Sequence, residues 1–366
     1  MPGNVTRTFS TYTFLVSTWD KFRDQFINKD GRVIDYSQNS ITTSEGQSYA
    51  MLRSVWVDDK PTFDKVWTWT KNTMKRPQDN LMGWRWGKKD DGSYGFLTGG
   101  GDNSASDADS DIALSLILAS RTWCDKNYLS DAKKILDSLW LFDTGSAAGS
   151  RYLIAGNWAN ENGKLVINPS YFSPAAFRIF ATVDTSHDWQ SMVSPGYDLL
   201  NKVGSEPLDK ARGAGIPPDW ISLDVTTGVV THADIPSATT NYSYDAIRVP
   251  FRVALDYQWN KDKRAYVYLT NSFKILDSYY KEKKMLASVY SHDGSALNSQ
   301  ESPSMYATSL AFLIYADKAS ADRIYQEKIL KLYSNNTNSF NSDIGYYDQN
   351  WLWFGSALYN NYLSHF

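Results

Sequence analysis

Apolar residues recur three and four positions apart from one end of the chain to the other, and the two-residue alternation of a half-buried strand almost never replaces that spacing. Bounded by caps, prolines and glycines, the periodicity predicts twelve helices, near 10–28, 45–57, 61–75, 109–126, 130–142, 173–183, 187–203, 243–258, 262–283, 303–317, 320–334 and 350–363. Several starts are specific. Ser44 followed three residues later by Gln47 has the form of a capping box, and Pro61, Pro174 and Pro303 each fall in a first turn, where a missing N–H costs nothing. Strand signals are confined to LVINP (165–169) and VTTGVV (225–230). The connections alternate in length: those at 58–60, 127–129 and 318–319 are tight, whereas 76–106, 144–172, 204–242, 284–302 and 335–349 are long and aromatic. Helical hairpins stacked in a ring have this rhythm, with tight turns at one end and long loops building a binding face at the other. The predicted class is therefore all-α, and with no linker or low-complexity tract to divide it, 1–366 is expected to be one domain.

Composition adds one unusual quantity. The chain holds 14 Trp, 24 Tyr and 16 Phe among its 366 residues. A large core absorbs many aromatics, but others stand in polar, glycine-rich loops such as GWRWG (83–87), AGNW (155–158) and GYYDQNWLWFG (345–355). Flat apolar rings with polar rims suit the faces of sugars, so Trp84, Trp158, Trp220 and Tyr346 are candidates for an open carbohydrate cleft. A net charge of −3 with mixed signs argues against a nucleic-acid partner, and no apolar run is long enough to span a bilayer. Cys124 is the only cysteine; falling within an apolar helix, it is expected to be an inert core thiol. The opening MPGNVTRTFSTYTF lacks the basic-then-apolar pattern of a signal peptide, so either the protein stays inside the cell or a signal has been replaced, and Met-Pro-Gly favours the second.

Candidate chemistry centres on ASDADSDIALSLILASRTW (105–123), where Asp107, Asp109 and Asp111 lead into a helical apolar stripe. One acid suits the positive end of a helix; three exceed what capping needs and repel one another unless something outside the helix uses them. Glu45 stands in the first turn of its helix, where complementing the dipole is the ordinary role. Asp245 lies one turn from Arg248 in NYSYDAIRVPFR, a spacing that suits a structural pair. Other chemistries find no footing. His187, His232, His292 and His365 are scattered without metal spacing, and neither a GxSxG elbow nor a phosphate loop occurs. Carboxylate chemistry on a carbohydrate is left.

These motifs resemble glycoside hydrolase family 8. The 105–123 stretch is similar to its A-[ST]-D-[AG]-D-x-x-[IM]-A signature, TTSEGQSYAM to its SEGQ segment, NPSYFSPAAFR (168–178) to its NPSYF segment, IPPDW to its PDW segment and YDAIRVPFR (244–252) to its YDAxRxP segment, in the family's order and over roughly 10–363. The resemblance implies an (α/α)6 barrel and inverting hydrolysis of β-1,4 glycosidic bonds. It makes Glu45 the general acid and Asp245 the general base, with Asp107 binding and distorting the sugar at the cleavage point and Tyr171, Tyr244 and Arg248 around it; Asp109 and Asp111 support the motif. Xylanases of the family tend to read DGEEYFA where this chain reads DADSDIA, and an acid in YDAIR counts against the chitosanase and mixed-linkage types. An endo-β-1,4-glucanase acting on cellulose or related β-glucans is expected, the alternatives being a xylanase, lichenase or chitosanase of the same family, or an inert glucan-binding protein. No metal or organic cofactor is implied. A monomer working outside the cell, or in the periplasm, completes the expectation.

Overall fold

The computed structural model describes residues 11–365; the reading of the first residues as a replaced leader lies outside them. Thirteen α-helices occur among the described residues: α1 (Thr11–Phe26), α2 (Ser44–Trp56), α3 (Lys60–Thr73), α4 (Ser106–Trp123), α5 (Lys126–Phe142), α6 (Pro174–Val183), α7 (Val193–Ser205), α8 (Val249–Asn260), α9 (Lys263–Asn271), α10 (Lys274–Lys283), α11 (Pro303–Ala316), α12 (Lys318–Ile324) and α13 (Tyr346–Tyr359). Two kinds are distinguishable. In α2, α4, α11 and α13 nearly every position is buried, so polarity has no outward side to occupy. In α3, α5 and α9 burial follows one stripe. The first kind, with α6 and α8, forms an inner ring: α2 packs on α4, α4 on α6, α6 on α8, α8 on α11 and α11 on α13. Tyr49 of α2 meets Trp351 and Phe354 of α13 edge-on and closes the circle. Outer helices pair with the inner ones that precede or follow them, α3 with α2, α5 with α4, α9 with α8 and α12 with α11, which gives an (α/α)6 barrel.

Charges inside the wall are tied off. Arg252 of α8 forks onto Asp111 of α4 at 2.7 and 2.9 Å, a bidentate pair joining two inner helices. Arg53 of α2 meets no carboxylate among the described residues; it donates to Asn350 at 2.9 Å and lies against the rings of Trp19, Phe22 and Trp353, tying α1, α2 and α13 together. Where α11 and α13 touch most closely, a side chain on Gly355 would stand 2.2 Å from the Ala307 carbonyl oxygen, so only glycine fits.

Short antiparallel sheets line the loop end. β1 (Thr42–Thr43), β2 (Arg85–Lys88) and β3 (Tyr94–Phe96) make one. A second pair, β4 (Thr144–Ala147) and β5 (Ser150–Leu153), precedes a four-stranded sheet of β6 (Asn160–Glu161), β7 (Lys164–Ile167), β8 (Ile221–Asp224) and β9 (Val230–His232).

Several expectations change. The helix start at 44 is capped by Thr43, whose hydroxyl accepts from the Gly46 N–H at 3.0 Å, and there is no capping box: Gln47 is fully buried, accepting from the Val33 N–H and donating to Thr70, both at 2.6 Å. The helix expected over 262–283 is two, because Phe273 turns inward to stack on Phe312 at 4.7 Å and breaks the run between α9 and α10. The 320–334 helix is short and continues as a π-turn and a 3₁₀ turn to Leu332. The 243–258 helix begins as 3₁₀ at Ala246, and α8 proper starts around Pro250, which has no N–H to extend a helix backwards. Residues 225–230 mostly form the turn between β8 and β9 rather than a strand. Cys124 is exposed, the left-handed residue ending α4, and not a core thiol.

Candidate active site

At the loop end of the ring, a cavity of about 540 Å³ receives residues from the starts of α2, α4 and α13 and from the segment before α8. β1 runs directly into α2 and delivers Glu45 in its first turn, where the side chain is largely buried and keeps 22% of its surface open. Its Oε2 accepts from Arg248 Nη1 at 2.7 Å and its Oε1 from the Tyr346 hydroxyl at 3.1 Å. Asp107 enters from the first turn of α4 and accepts from the same Nη1 at 2.9 Å. Asp245, ahead of the 3₁₀ turn, accepts from Arg248 Nη2 at 2.5 Å and from Trp220 Nε1 at 3.0 Å. One guanidinium thus holds three acids, two on one nitrogen and the third on the other. Its own face lies 5.3 Å from the centre of the Tyr171 ring. No hydrogen bond joins Glu45 to Asp245; the width of the guanidinium stands between them.

The acids differ in surroundings. Burial pushes the Glu45 carboxyl up to about 7, and the negative charges of Asp107 and Asp245 act in the same direction against the opposing pull of Arg248. Asp107, 3% exposed, is also raised by burial, which outweighs Arg248 and Arg252. The Asp245 side chain is 34% exposed and meets both the Arg248 guanidinium and the Trp220 indole N–H.

Nine of the residues singled out from sequence line this cavity: Glu45, Asp107 and Asp245, with Trp84, Tyr171, Trp220, Tyr244, Arg248 and Tyr346. Trp158 does not, because the 155–166 segment folds back on itself, Ala155 donating to Val166 and Val166 to Ala159, and the ring packs against the core. Asp109 and Asp111 face away from it: Asp109 accepts from the Met82 N–H at 3.0 Å, and Asp111 holds Arg252. Three lining or supporting residues escaped the sequence reading. Tyr347, beside Tyr346, reaches the Tyr244 carbonyl at 2.5 Å. Asp35 lines the cavity from a turn that it caps itself, and nothing in its local sequence distinguishes it. Asp219, inside the quoted IPPDW, accepts from the Ala246 N–H at 2.8 Å, the Thr239 hydroxyl at 2.9 Å and both the amide and hydroxyl of Ser243. It thereby fixes the backbone on either side of Asp245, while burial and the Asp245 charge push its own carboxyl up to about 6.

Asp137, Asp184 and His187 form the one group of potential metal ligands found among the described residues. It lies away from the cavity, and Asp184 is already engaged by His187, the Trp189 indole and the Ser186 amide.

Comparison with known proteins agrees with this geometry. Residues 5–355 match the sequence profile of glycosyl hydrolases family 8. An endoglucanase of Cellulomonas uda is 30% identical over 239 residues, 65% of this chain and 63% of that protein. Endoglucanase C of Ruminiclostridium cellulolyticum is 29% identical over 344 residues, 90% of this chain and 68% of its own length. The chain spans 57–63% of the first three curated endoglucanases it matches. Among solved structures, an endo-1,4-D-glucanase from Vibrio fischeri superposes with a TM-score of 0.78 at 27% identity, covering 94% of each chain.

Proposed function

The chain belongs to glycosyl hydrolases family 8, and from that premise we propose that it is an inverting endo-β-1,4-glucanase with Glu45 as general acid and Asp245 as general base. The observation that carries the reading is the pair of carboxyls facing one cavity from different nitrogens of Arg248. Inversion needs two such groups about 6.5–9.5 Å apart, one holding a proton and the other not, with space for water on the far side of the sugar. The raised Glu45 carboxyl keeps a proton near neutrality and gives it to the leaving glycosidic oxygen. Asp245 takes a proton from a water that attacks the anomeric carbon from the opposite face; the C–O bond to the leaving sugar breaks as the new one forms. Glu45 is left as the carboxylate and Asp245 as the acid, and solvent restores both. Asp107 adds negative charge beside the acid and, with Arg248, offers hydrogen-bonding groups to the sugar at the cleavage point. Trp84, Trp220 and Tyr171 supply apolar faces for glucose rings.

The endo mode and the glucan preference draw on the relatives' endoglucanase activity. A polymeric substrate supports a site of action outside the cytoplasm. One continuous buried core from Phe14 to Leu363 supports a single catalytic domain.

The reading is tested by reducing-sugar release from carboxymethylcellulose, xylan and chitosan at equal loading, with the anomer of the first product followed by NMR. Release from the cellulose derivative with the α-anomer appearing first is expected. Glu45→Gln and Asp245→Asn are each expected to lose at least about 10²–10⁴ in turnover while still binding oligosaccharide; substantial turnover in either, or a β-anomer, refutes the assignment.

A further inference from the structure

Beside the catalytic cavity lies a second one of about 400 Å³, and Gln38 lines both. Its wall is the β2–β3 hairpin together with the turn at 38–41. The lining combines three kinds of group. Gln38, Asn39 and Thr98 offer amides and a hydroxyl, Ile41 and Leu97 give an apolar patch, and Arg85, Lys88 and Lys89 bring three cations against one acid, Asp90. Arg85 is fixed in place, donating to the Thr98 carbonyl at 3.2 Å and stacking 4.7 Å from the ring of Trp84, which itself lines the catalytic cavity. None of the three cations is in a salt bridge among the described residues, although the chain as a whole carries a net charge of −3.

From this we infer that the second cavity is an outer subsite for a β-glucan bearing acidic substituents, with Lys88, Lys89 and Arg85 receiving a carboxylate carried by the sugar chain. The inference rests on the proposed glucanase activity and deepens it. Amides, hydroxyl and apolar patch are what a sugar ring meets in a protein. Three cations against the nearby acids Asp90 and Asp91, the second of which feels the charge of Lys89, leave an excess of positive charge that a neutral sugar has no use for and an anionic one does. The shared Gln38 and the Trp84–Arg85 stack make the two cavities consecutive, so one polymer occupies both.

The test compares carboxymethylcellulose with neutral hydroxyethylcellulose, using wild type and the double variant Lys88→Glu/Lys89→Glu, at one exposed and one half-buried position. The double variant is expected to raise KM on the carboxymethylated polymer about five- to tenfold, the scale of two surface ion pairs, and to leave KM on the neutral polymer unchanged. Added salt is expected to raise the wild-type KM on the charged polymer alone. An equal rise on both polymers, or no rise on either, overturns the subsite. Retardation of Glu45→Gln protein in gels containing carboxymethylcellulose, with and without the two lysine substitutions, reads the site without turnover. If wild type cleaves neither polymer, the glucanase reading fails, and the gel still decides the subsite: equal retardation of both proteins sinks it, weaker retardation of the lysine variant upholds it.

Discussion

Glu45 keeps a proton to about pH 7 because it is withdrawn from water and shares a guanidinium with two other acids, so three negative charges compete for one positive one. The alkaline limb of activity is therefore expected to fall as pH rises through about 7. Its origin is open to a direct check. Asp107→Asn removes one of the charges that raise Glu45 and leaves more of Arg248 to it, so the limb should move to lower pH in the kcat profile of that variant. A limb that stays in place, or moves up, would show that Asp107 does not set the Glu45 protonation. Arg248 was legible in the sequence as a partner for Asp245, three positions away. That it also holds Glu45 and Asp107, distant in sequence, is a fact of tertiary structure.

The site's elements are placed by close approaches between inner helices. α11 and α13 meet at Gly355, and the start of α13 carries Tyr346 and Tyr347 to the cavity. Gly355→Ala must push the two helices apart, because its new methyl would overlap the Ala307 backbone, which cannot rotate away. Overpacking of this kind costs about 1–3 kcal/mol, to be read as a lower midpoint in urea with the slope unchanged; an unaltered midpoint would mean that the contact is looser than it looks. The helices themselves followed from periodicity, and prolines at 61, 174 and 303 marked their first turns. Breaks inside helices were harder. Phe273 fits the helical pattern and leaves it where Phe312 of the neighbouring α11 offers a stacking partner. Gln47 has the spacing of a cap and serves instead as a buried bridge to Thr70 and Val33.

Across the whole molecule, acids buried without full compensation shape the response to pH. Asp143 is raised to about 7 by burial, and Asp109 is raised well above its ordinary range by burial and by Asp143 itself. Each has one oxygen with no hydrogen-bond partner. A carboxyl whose folded pKa lies above its unfolded value contributes stability that is fully present below about pH 4 and is lost as pH rises through the folded pKa. Thermal stability is thus expected to decline between about pH 4 and pH 8, and Asp143→Asn, which stays neutral throughout, to flatten that decline; parallel melting curves for wild type and variant across the range would rule the explanation out. The pattern of apolar spacing determined an all-helical chain with long aromatic loops, and the order of its short motifs pointed to Glu45, Asp107 and Asp245, which line one cavity, since periodicity and local signals are properties of neighbouring residues. Which nitrogen each acid shares, which tryptophan faces the cleft and which packs inward, and how β2–β3 sets cations beside it were decided by the closing of the ring, because only there do residues hundreds of positions apart compete for the same few ångströms.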